Sequence, residues 1–402
     1  MGALILLPFY VALSSYMFWF ALRWIRACHG FFHSKTFKRI YFVLFFFMVF
    51  SPGLAFALPH SHFQRVFQVV SNFWIGIFFI GISLILITHL IKFITTKTGT
   101  ISRAKWQRRK YIAISGTIVF LLTVSVSTYG LITCKTITDT QYVVNVDKSV
   151  NGLSNIKVVL IADLHMGYNM GVHSVETMVN KINQMEPDLI CIAGDIFNNT
   201  YDALEDEKAM LASLSNLKST YGTYACYGNH DVKEPILAGF TFSDKKNKDK
   251  RPVSDPRMDK FLKDANIKLL QDEVVLVDDK FYVGGRLDDQ KPGRTAAIRM
   301  TEEEITRNLD KSKPIIIIDH SPTSNALEGL AANGVDVDLS GHTHNGQFFP
   351  LNLSAKFMWD NPTGILQVRN MTSIVTSGVG VFGPDIRLGT KSEIVEIKMN
   401  FK

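Results

Sequence analysis

The sequence has 402 residues, enough for two or three structural units. Residues 1–138 contain 14 Lys and Arg and no Asp or Glu, whereas the remainder contains 29 basic and 36 acidic residues. The formal charge of +7 is therefore +14 in the first third and −7 in the rest. Because the positive charge lies in short loops and the acidic remainder repels a phosphate backbone, we predict no nucleic-acid partner.

Four stretches without Asp, Glu, Lys or Arg come first, at residues 3–22, 40–64, 66–91 and 111–134. Each has at least 20 residues, which lets a helix cross a hydrocarbon core of about 30 Å. We predict four transmembrane helices within residues 1–135, with the lipid bilayer as a partner. The first stretch could instead be a cleaved signal peptide. It has no basic start and is followed by Arg23 and Arg26, which favours an uncleaved span.

The loops between these stretches predict the orientation of the chain. The first and third loops together contain twelve Lys and Arg, whereas the second contains only Arg65. Since positively charged loops stay in the cytoplasm, the first and third loops are predicted inside. All residues after Cys134 are then expected on the outer face of the cell membrane.

A polar connector with a strand at 142–146 is predicted over residues 136–156, followed by a domain at 157–402. Apolar runs at residues 158–162, 189–193 and 223–227 alternate with helical stretches at 174–185 and 203–217. This alternation predicts a parallel sheet covered on both faces. A hairpin is predicted at 274–277 and 281–284, further strands at 315–318, 335–339 and 394–398, and a polar insertion at 243–251. Cys191 and Cys226 are expected to be buried free thiols, with a disulfide between them as the open alternative.

Five of the apolar runs end on residues that commonly bind metals. These residues are Asp163 and His165, Asp195, Asn229 with His230 and Asp231, His320, and His342 with His344. In open α/β sheets, ligands bind beyond the carboxyl ends of the strands, so we expect these side chains to meet in one crevice. Imidazole and carboxylate ligands suit Zn, Fe or Mn. Glycines at 194, 228 and 341 would let the backbone turn tightly beside the ions.

This ordered set of motifs resembles the calcineurin-like metallophosphoesterase family. The segments Ser340–Gln347 (SGHTHNGQ) and 377–389 are similar to its membrane-attached bacterial branch. The resemblance covers about residues 157–398 and implies an α/β phosphoesterase domain, a mixed β-sandwich flanked by helices. With the four spans predicted from the apolar stretches, the expected fold is a multi-pass α-helical membrane region followed by this domain. The resemblance also implies two divalent metal ions and a phosphate-ester substrate.

The resemblance further implies a role for each ligand. Asp163, His165 and His344 would bind one ion, Asn229, His320 and His342 the other, and Asp195 both. His230 would face the substrate as the catalytic residue. The family often has a second Asp three residues after the bridging one, to orient this histidine. Asn198 stands there in this chain, so whether Asn198 or Asp231 orients His230 stays open.

The implied reaction is hydrolysis of phosphate mono- or diesters by a metal-activated hydroxide, with His230 donating a proton to the leaving group or stabilising its charge. Arg286 and Arg387 are candidate phosphate clamps, with a surface cation or structural ion pair as the alternative. A lipid headgroup or another envelope-linked ester is an accessible substrate. A UDP-2,3-diacylglucosamine-type pyrophosphatase would need a cytoplasmic site. A non-catalytic membrane receptor or scaffold is disfavoured by the complete ligand set.

Overall fold

The computed structural model describes residues 2–234, 236–237, 240–241, 253–289, 291 and 298–402. The polar insertion predicted at 243–251 lies outside these residues. The chain divides into two compact units. The first contains Met1–Ile132, Ile236–Phe242 and Gly383–Ile386, and the second contains Thr133–Pro235, Ser243–Phe382 and Arg387–Lys402.

The helices are α1 Gly2–Cys28, α2 Lys35–Ala57, α3 His62–Lys97, α4 Arg103–Gln107, α5 Arg109–Lys135, α6 Val172–Gln184, α7 Glu207–Leu214, α8 Pro256–Asp264, α9 Glu302–Thr306, α10 Ser324–Ala332 and α11 Leu351–Met358. The strands are β1 Ile137–Val146, β2 Asn155–Ile161, β3 Leu189–Ala193, β4 Thr223–Cys226, β5 Ile236–Leu237, β6 Phe240–Thr241, β7 Ile267–Leu269, β8 Glu273–Val277, β9 Phe281–Gly285, β10 Ile315–Ile318, β11 Val337–Ser340, β12 Gly364–Val368, β13 Met371–Val375 and β14 Ser392–Phe401.

Helices α1, α2, α3 and α5 are long and apolar enough to cross a membrane, as the four charge-free stretches predict. Helices α2 and α3 pack through a buried aromatic cluster around Phe45 and Trp74. The indole Nε1 of Trp74 donates to the Tyr10 hydroxyl at 2.8 Å, and this hydroxyl donates to the Val49 carbonyl at 2.8 Å. The hydrogen bonds join α1, α2 and α3 and satisfy polar atoms inside an otherwise apolar bundle.

Two six-stranded mixed sheets form the centre of the second unit. Their strand orders are β1-β14-β2-β3-β4-β7 and β12-β13-β11-β10-β9-β8. One apolar core fills the space between the sheets, and two others lie under α6, α7 and α8 and under α10. Alternate residues of β2 face the two sides, since Val158 and Leu160 lie in the central core and Val159 faces the helices. Burial on both faces explains why these strands are continuously apolar. The expected sandwich flanked by helices is confirmed.

The predicted connector belongs to the first sheet. Strand β1 pairs in parallel with β14 from Ile137 opposite Ser392 to Val146 opposite Phe401. Val144 and Val146 are 2% and 5% exposed and contribute to the central core. The parallel partner of β1 is far away in the sequence, and the local sequence around β1 therefore resembles a linker.

The two strand cysteines are free and buried, so the disulfide alternative is wrong. Cys191 lies opposite Tyr224 in the register of β3 and β4, and Cys226 lies opposite Ala193. The two thiols are therefore offset by two residues along neighbouring strands. Burial raises the pKa of the Cys226 thiol well above its usual value, which keeps it protonated.

Candidate metal centre and active site

Five of the predicted metal ligands have backbone conformations that are rare for residues with a side chain. The φ angles are +53° at Asp163, +46° at His165, +50° at Asp195, +71° at His342 and +48° at His344. Each such conformation costs of order 1–3 kcal/mol and persists only where the surrounding structure enforces it. The chain turns sharply at the strand ends in this way, and backbone strain of this kind clusters at functional sites.

Asp163, His165 and His344 form the first group of candidate ligands, whose donor atoms all lie within 4.8 Å of one another. The Nε2 atoms of His165 and His344 are 3.1 Å apart. The Nε2 atom of His344 is 3.7 Å from an Asp163 carboxylate oxygen. Both Asp163 oxygens also accept from the backbone N–H of His342 at 3.1 Å, which ties the ends of β2 and β11 together.

The second group contains Asp195, His320 and His342, again with donor atoms within 4.8 Å. The side-chain oxygen of Asn229 joins them, 3.1 Å from Nε2 of His320 and 2.9 Å from Nδ1 of His342. The Nδ1–H of His320 donates to the Ala193 carbonyl at 2.8 Å, which fixes the tautomer and leaves the Nε2 lone pair facing the group.

Asp195 lies between the two groups. Its Oδ2 atom is 3.7 Å from Nε2 of His165 and 3.3 Å from Nε2 of His320. Its Oδ1 atom accepts from the backbone N–H of His230 at 2.7 Å, which fixes the orientation of the carboxylate. One oxygen of this residue is therefore near the donor atoms of both groups.

The electrostatics of the two groups suit divalent cations. Burial lowers the pKa of His165 and of His342 to about 4, so both imidazoles are neutral at pH 7 and offer lone pairs. Burial also raises the pKa of Asp163 to about 7, because the charged carboxylate is removed from the water that would stabilise it. Lone pairs and carboxylate oxygens that converge in a buried space are a suitable environment for a metal cation.

Two glycines allow the strand ends to approach this closely. Gly194 has φ +78°, and a Cβ atom there would lie 2.6 Å from Nδ1 of His320. A Cβ atom on Gly228 would lie 2.3 Å from Oδ1 of Asp195. Any side chain at either position would displace a candidate ligand, so both positions require glycine.

Asn199, which the sequence did not single out, pairs with His230. The imidazole Nδ1 of His230 is hydrogen-bonded to the side-chain oxygen of Asn199. The side-chain oxygen of Asn198 is buried without a hydrogen-bond partner. Asp231 instead accepts from the backbone N–H groups of Phe197 at 2.7 Å and Gly228 at 2.8 Å. Neither alternative that the sequence left open is the residue that orients His230.

The structure does not support a phosphate-clamp role for Arg286, which is 1% exposed. Its guanidinium donates to the Glu302 carboxylate and the Met300 carbonyl, both at 2.8 Å, and pairs with Asp319 at 3.4 Å. These contacts are those of a structural ion pair, the alternative that the sequence left open.

Arg387 is also fully buried, with 0% exposure, and it binds the backbone. Its guanidinium donates to the carbonyls of Ser377 at 2.7 Å, Gly378 at 3.1 Å and Gly380 at 2.6 Å. The backbone N–H of Gly380 in turn donates to the Asp163 carbonyl at 2.8 Å. Arg387 therefore supports the loop behind Asp163, which is the structural alternative to a phosphate clamp.

Two aromatic side chains that the sequence did not indicate also border the site. The ring of Phe382 lies 4.1 Å from that of His230 and 5.4 Å from that of His165, measured between centroids. The ring of Trp359 lies 5.1 Å from that of His342. Gln347 holds Phe382 by two hydrogen bonds to its backbone, at 3.1 and 3.2 Å. Aromatic residues are common in any core, so composition gave no signal for this role.

Residues 156–346 match the family model of the calcineurin-like phosphoesterases. An uncharacterized metallophosphoesterase of Helicobacter pylori is 29% identical over 253 residues, which is 61% of this chain and 60% of the relative. A transmembrane protein with metallophosphoesterase domain of Bos taurus is 27% identical over 248 residues, 61% of this chain and 53% of the relative. An uncharacterized metallophosphoesterase of Aquifex aeolicus is 26% identical over 265 residues, 65% of this chain and 91% of the relative.

The matched region spans β2 to the loop after β11 and contains all eight residues proposed as ligands or catalyst. The aligned region spans 60% of the length of the Helicobacter relative. Residues 156–346 therefore form a calcineurin-like phosphoesterase domain.

Proposed function

We propose that the protein is a membrane-anchored phosphoesterase that hydrolyses phosphate mono- or diesters with two divalent metal ions. The position of Asp195 carries this proposal. Its Oδ2 atom lies within 3.7 Å of Nε2 of His165 and within 3.3 Å of Nε2 of His320, one from each ligand group. A carboxylate between two such groups is the arrangement that a two-ion site requires.

The proposed ligands form two groups, one for each ion. Asp163, His165 and His344 would hold one ion, Asn229, His320 and His342 the other, and Asp195 both. Bound at these positions, Mn, Fe or Zn ions would activate a water molecule as nucleophile and neutralise charge on the phosphoryl oxygens. Burial lowers the pKa of His165 and of His342 to about 4, so these two imidazoles are neutral at pH 7 and ready to bind a metal.

His230 is proposed to act on the leaving group. Its Nδ1–H donates to the amide oxygen of Asn199, which leaves Nε2 as the atom available to the substrate. Burial lowers the pKa of His230 to about 3, so the free enzyme holds it neutral at pH 7. A phosphate ester bound beside it adds negative charge, which favours the protonated form that serves as a general acid. Phe382 covers one face of this imidazole and limits the access of water.

The proposed location is the cell membrane, with the phosphoesterase domain on its outer face. Twelve Lys and Arg in the first and third loops against one in the second support this orientation. Lipid-linked or envelope-linked phosphate esters are then the available substrates. Digestion of the domain by protease added to intact cells or spheroplasts is the expected result. Digestion only after lysis would place the domain in the cytoplasm and contradict the proposed orientation.

A metal and substrate panel on the purified full chain tests the activity. The metal-free protein is reconstituted with Mn, Zn or Fe and assayed with p-nitrophenyl phosphate, bis-p-nitrophenyl phosphate and lipid phosphates. Metal-dependent turnover of at least one substrate is expected, with loss of bound metal in Asp195→Ala. Asp338→Asn is the matched control, because Asp338 is a buried carboxylate outside both ligand groups. Binding of two ions without turnover of any phosphate ester would favour the receptor or scaffold alternative.

A further inference from the structure

Helix α11 exposes large apolar side chains on the surface of its domain. Phe357 is 90% exposed, Met358 72%, Leu351 50% and Leu353 49%, whereas the small Ala355 is 4% exposed. A helix on a domain surface normally turns its large apolar residues inward and its small or polar residues outward. In α11, the large apolar side chains are exposed and do not pack into the protein core.

These exposed residues form a cluster and are not scattered singly. Among the described residues after Lys135, eleven large apolar side chains are exposed, and five of them lie between Phe349 and Met358. Single exposed apolar residues are normal on a protein surface, but a contiguous group marks an interaction surface. We call Phe349 and α11 the apolar helix patch.

The apolar helix patch borders the metal centre. Trp359 directly follows α11, and its ring lies 5.1 Å from the ring of His342. The patch also begins only five residues after His344, a member of the other ligand group. Whatever covers the patch is therefore next to the groups that would bind a phosphate.

We propose that the apolar helix patch inserts into the surface of the lipid bilayer, and that the adjacent centre takes phosphate esters of the lipids there. Between Phe348 and Trp359 the only charged residue is Lys356, and no acidic residue occurs. Exposed Phe and Leu with a single cation and a tryptophan are typical of segments that lie in the headgroup region of a membrane.

Chain connectivity supports the bilayer as the occupant. Helix α5 is one of the four candidate spans and ends at Lys135, and strand β1 of the phosphoesterase domain begins at Ile137. A single residue, Thr136, thus separates the span from the sheet. A tether of this length keeps the domain next to the membrane surface.

The location of the patch is measured independently of activity. The full chain is placed in lipid nanodiscs, where both faces are open to solvent, with Cys28→Ser removing the one exposed cysteine. A bimane label is attached to Phe357→Cys, or to Leu276→Cys as the control, since Leu276 is 43% exposed on β8. Doxyl lipids are the quencher in the bilayer, and iodide is the quencher in water.

We expect the label at 357 to lose fluorescence to doxyl lipids more than to iodide, and the label at 276 to show the opposite order. Quenching at 357 by iodide alone would overturn the proposal, because the helix would then face water. Protection from both quenchers would also overturn it, because a second copy or another protein would then cover the patch.

The lipid-substrate part of the inference rests on the proposed function and needs an activity measurement. The double variant Leu353→Ser with Phe357→Ser should lose turnover of a lipid phosphate in nanodiscs and keep that of p-nitrophenyl phosphate. Equal turnover of the lipid phosphate by variant and wild type, or equal loss on both substrates, would overturn this part. Absence of any turnover by the wild type would refute the proposed function itself, while the quenching result would still report where α11 lies.

Discussion

Replacing Asn199 with Asp tests the role of His230 with a change of one atom. The side-chain oxygen of Asn199 already pairs with Nδ1 of His230, and its Nδ2 atom is buried without a partner. The substitution therefore removes an unsatisfied donor and puts a carboxylate in hydrogen-bonding contact with the imidazole. Residue 199 has φ +56°, a conformation that Asn and Asp both tolerate, so the backbone should be kept.

The expected size of the effect follows from the pKa of His230. This pKa is lowered to about 3 by burial, so about one molecule in 10⁴ carries the imidazolium at pH 7. An opposite charge at contact distance raises a pKa by about 1–3 units, which increases this fraction about 10- to 1000-fold. A higher pKa also makes a weaker acid, so a rate gain of about 3- to 30-fold is expected for a general-acid step.

Two leaving groups separate this effect from a general change in the site. Turnover of an alkyl phosphate, a poor leaving group, should rise in Asn199→Asp, while that of p-nitrophenyl phosphate should stay nearly constant. The fall of kcat with rising pH should also begin at a higher pH, because a group with a raised pKa keeps its proton to a higher pH. Asn198→Asp is the matched control, since it adds the same charge one residue away without the contact to His230. Equal gains on both leaving groups, or the same gain in the control, would refute the reasoning.

The remaining predictions concern ligand roles, stability and domain limits. His230→Ala should lower turnover by about 10²–10⁴-fold with metal content unchanged, whereas Asp195→Ala should lose metal. Loss of metal from His230→Ala would contradict the proposed role of His230 as a general acid. Asp338→Asn should raise the free energy of unfolding by a few kcal/mol at pH 8, since burial raises the pKa of this carboxyl to about 7 from 3.8 and each unit is worth about 1.4 kcal/mol. Burial of the charged Asp338 carboxylate destabilises the native protein fully above about pH 7 and not at all below about pH 4. The stability gain of Asp338→Asn, measured by denaturant titration, should therefore shrink toward acid pH. A gain that does not change with pH would show that burial of this charge is not its cause. A chain that begins at residue 150 lacks β1 with its two buried valines, each worth about 1.5–3 kcal/mol, and should melt at lower temperature than one that begins at residue 133.

The sequence alone was enough to predict the strands that carry the ligands. Residues 189–193 and 315–318 coincide with the observed β3 and β10, and the hairpin of β8 and β9 is confirmed. Strands β3 and β10 are buried on both faces, so their residues are continuously apolar and end abruptly at polar or turn residues. The spans of the N-terminal region are predictable for a similar reason, because lipid leaves the backbone few options besides an apolar helix of at least 20 residues.

Elements whose stability depends on distant partners were not predictable. Strand β1 was expected to be mostly connector because its partner, β14, begins more than 250 residues later. Strands β12 and β13 were missed, since only the neighbouring β11 and their own antiparallel pairing define them. Local composition carries little information about pairings of this kind.

For the site, the sequence determined which residue types end the strands, and the tertiary structure decided which atoms meet. The hydrogen bond between His230 and Asn199, and those that Asp231 accepts from backbone N–H groups, depend on how two loops pack against each other. The burial of Arg286 and Arg387 likewise follows from contacts made by β9, α9 and the loop after β13. A side chain's type is a property of the sequence. Its partners and its exposure depend on the three-dimensional path of the chain, because contacts and desolvation arise only when distant segments pack together.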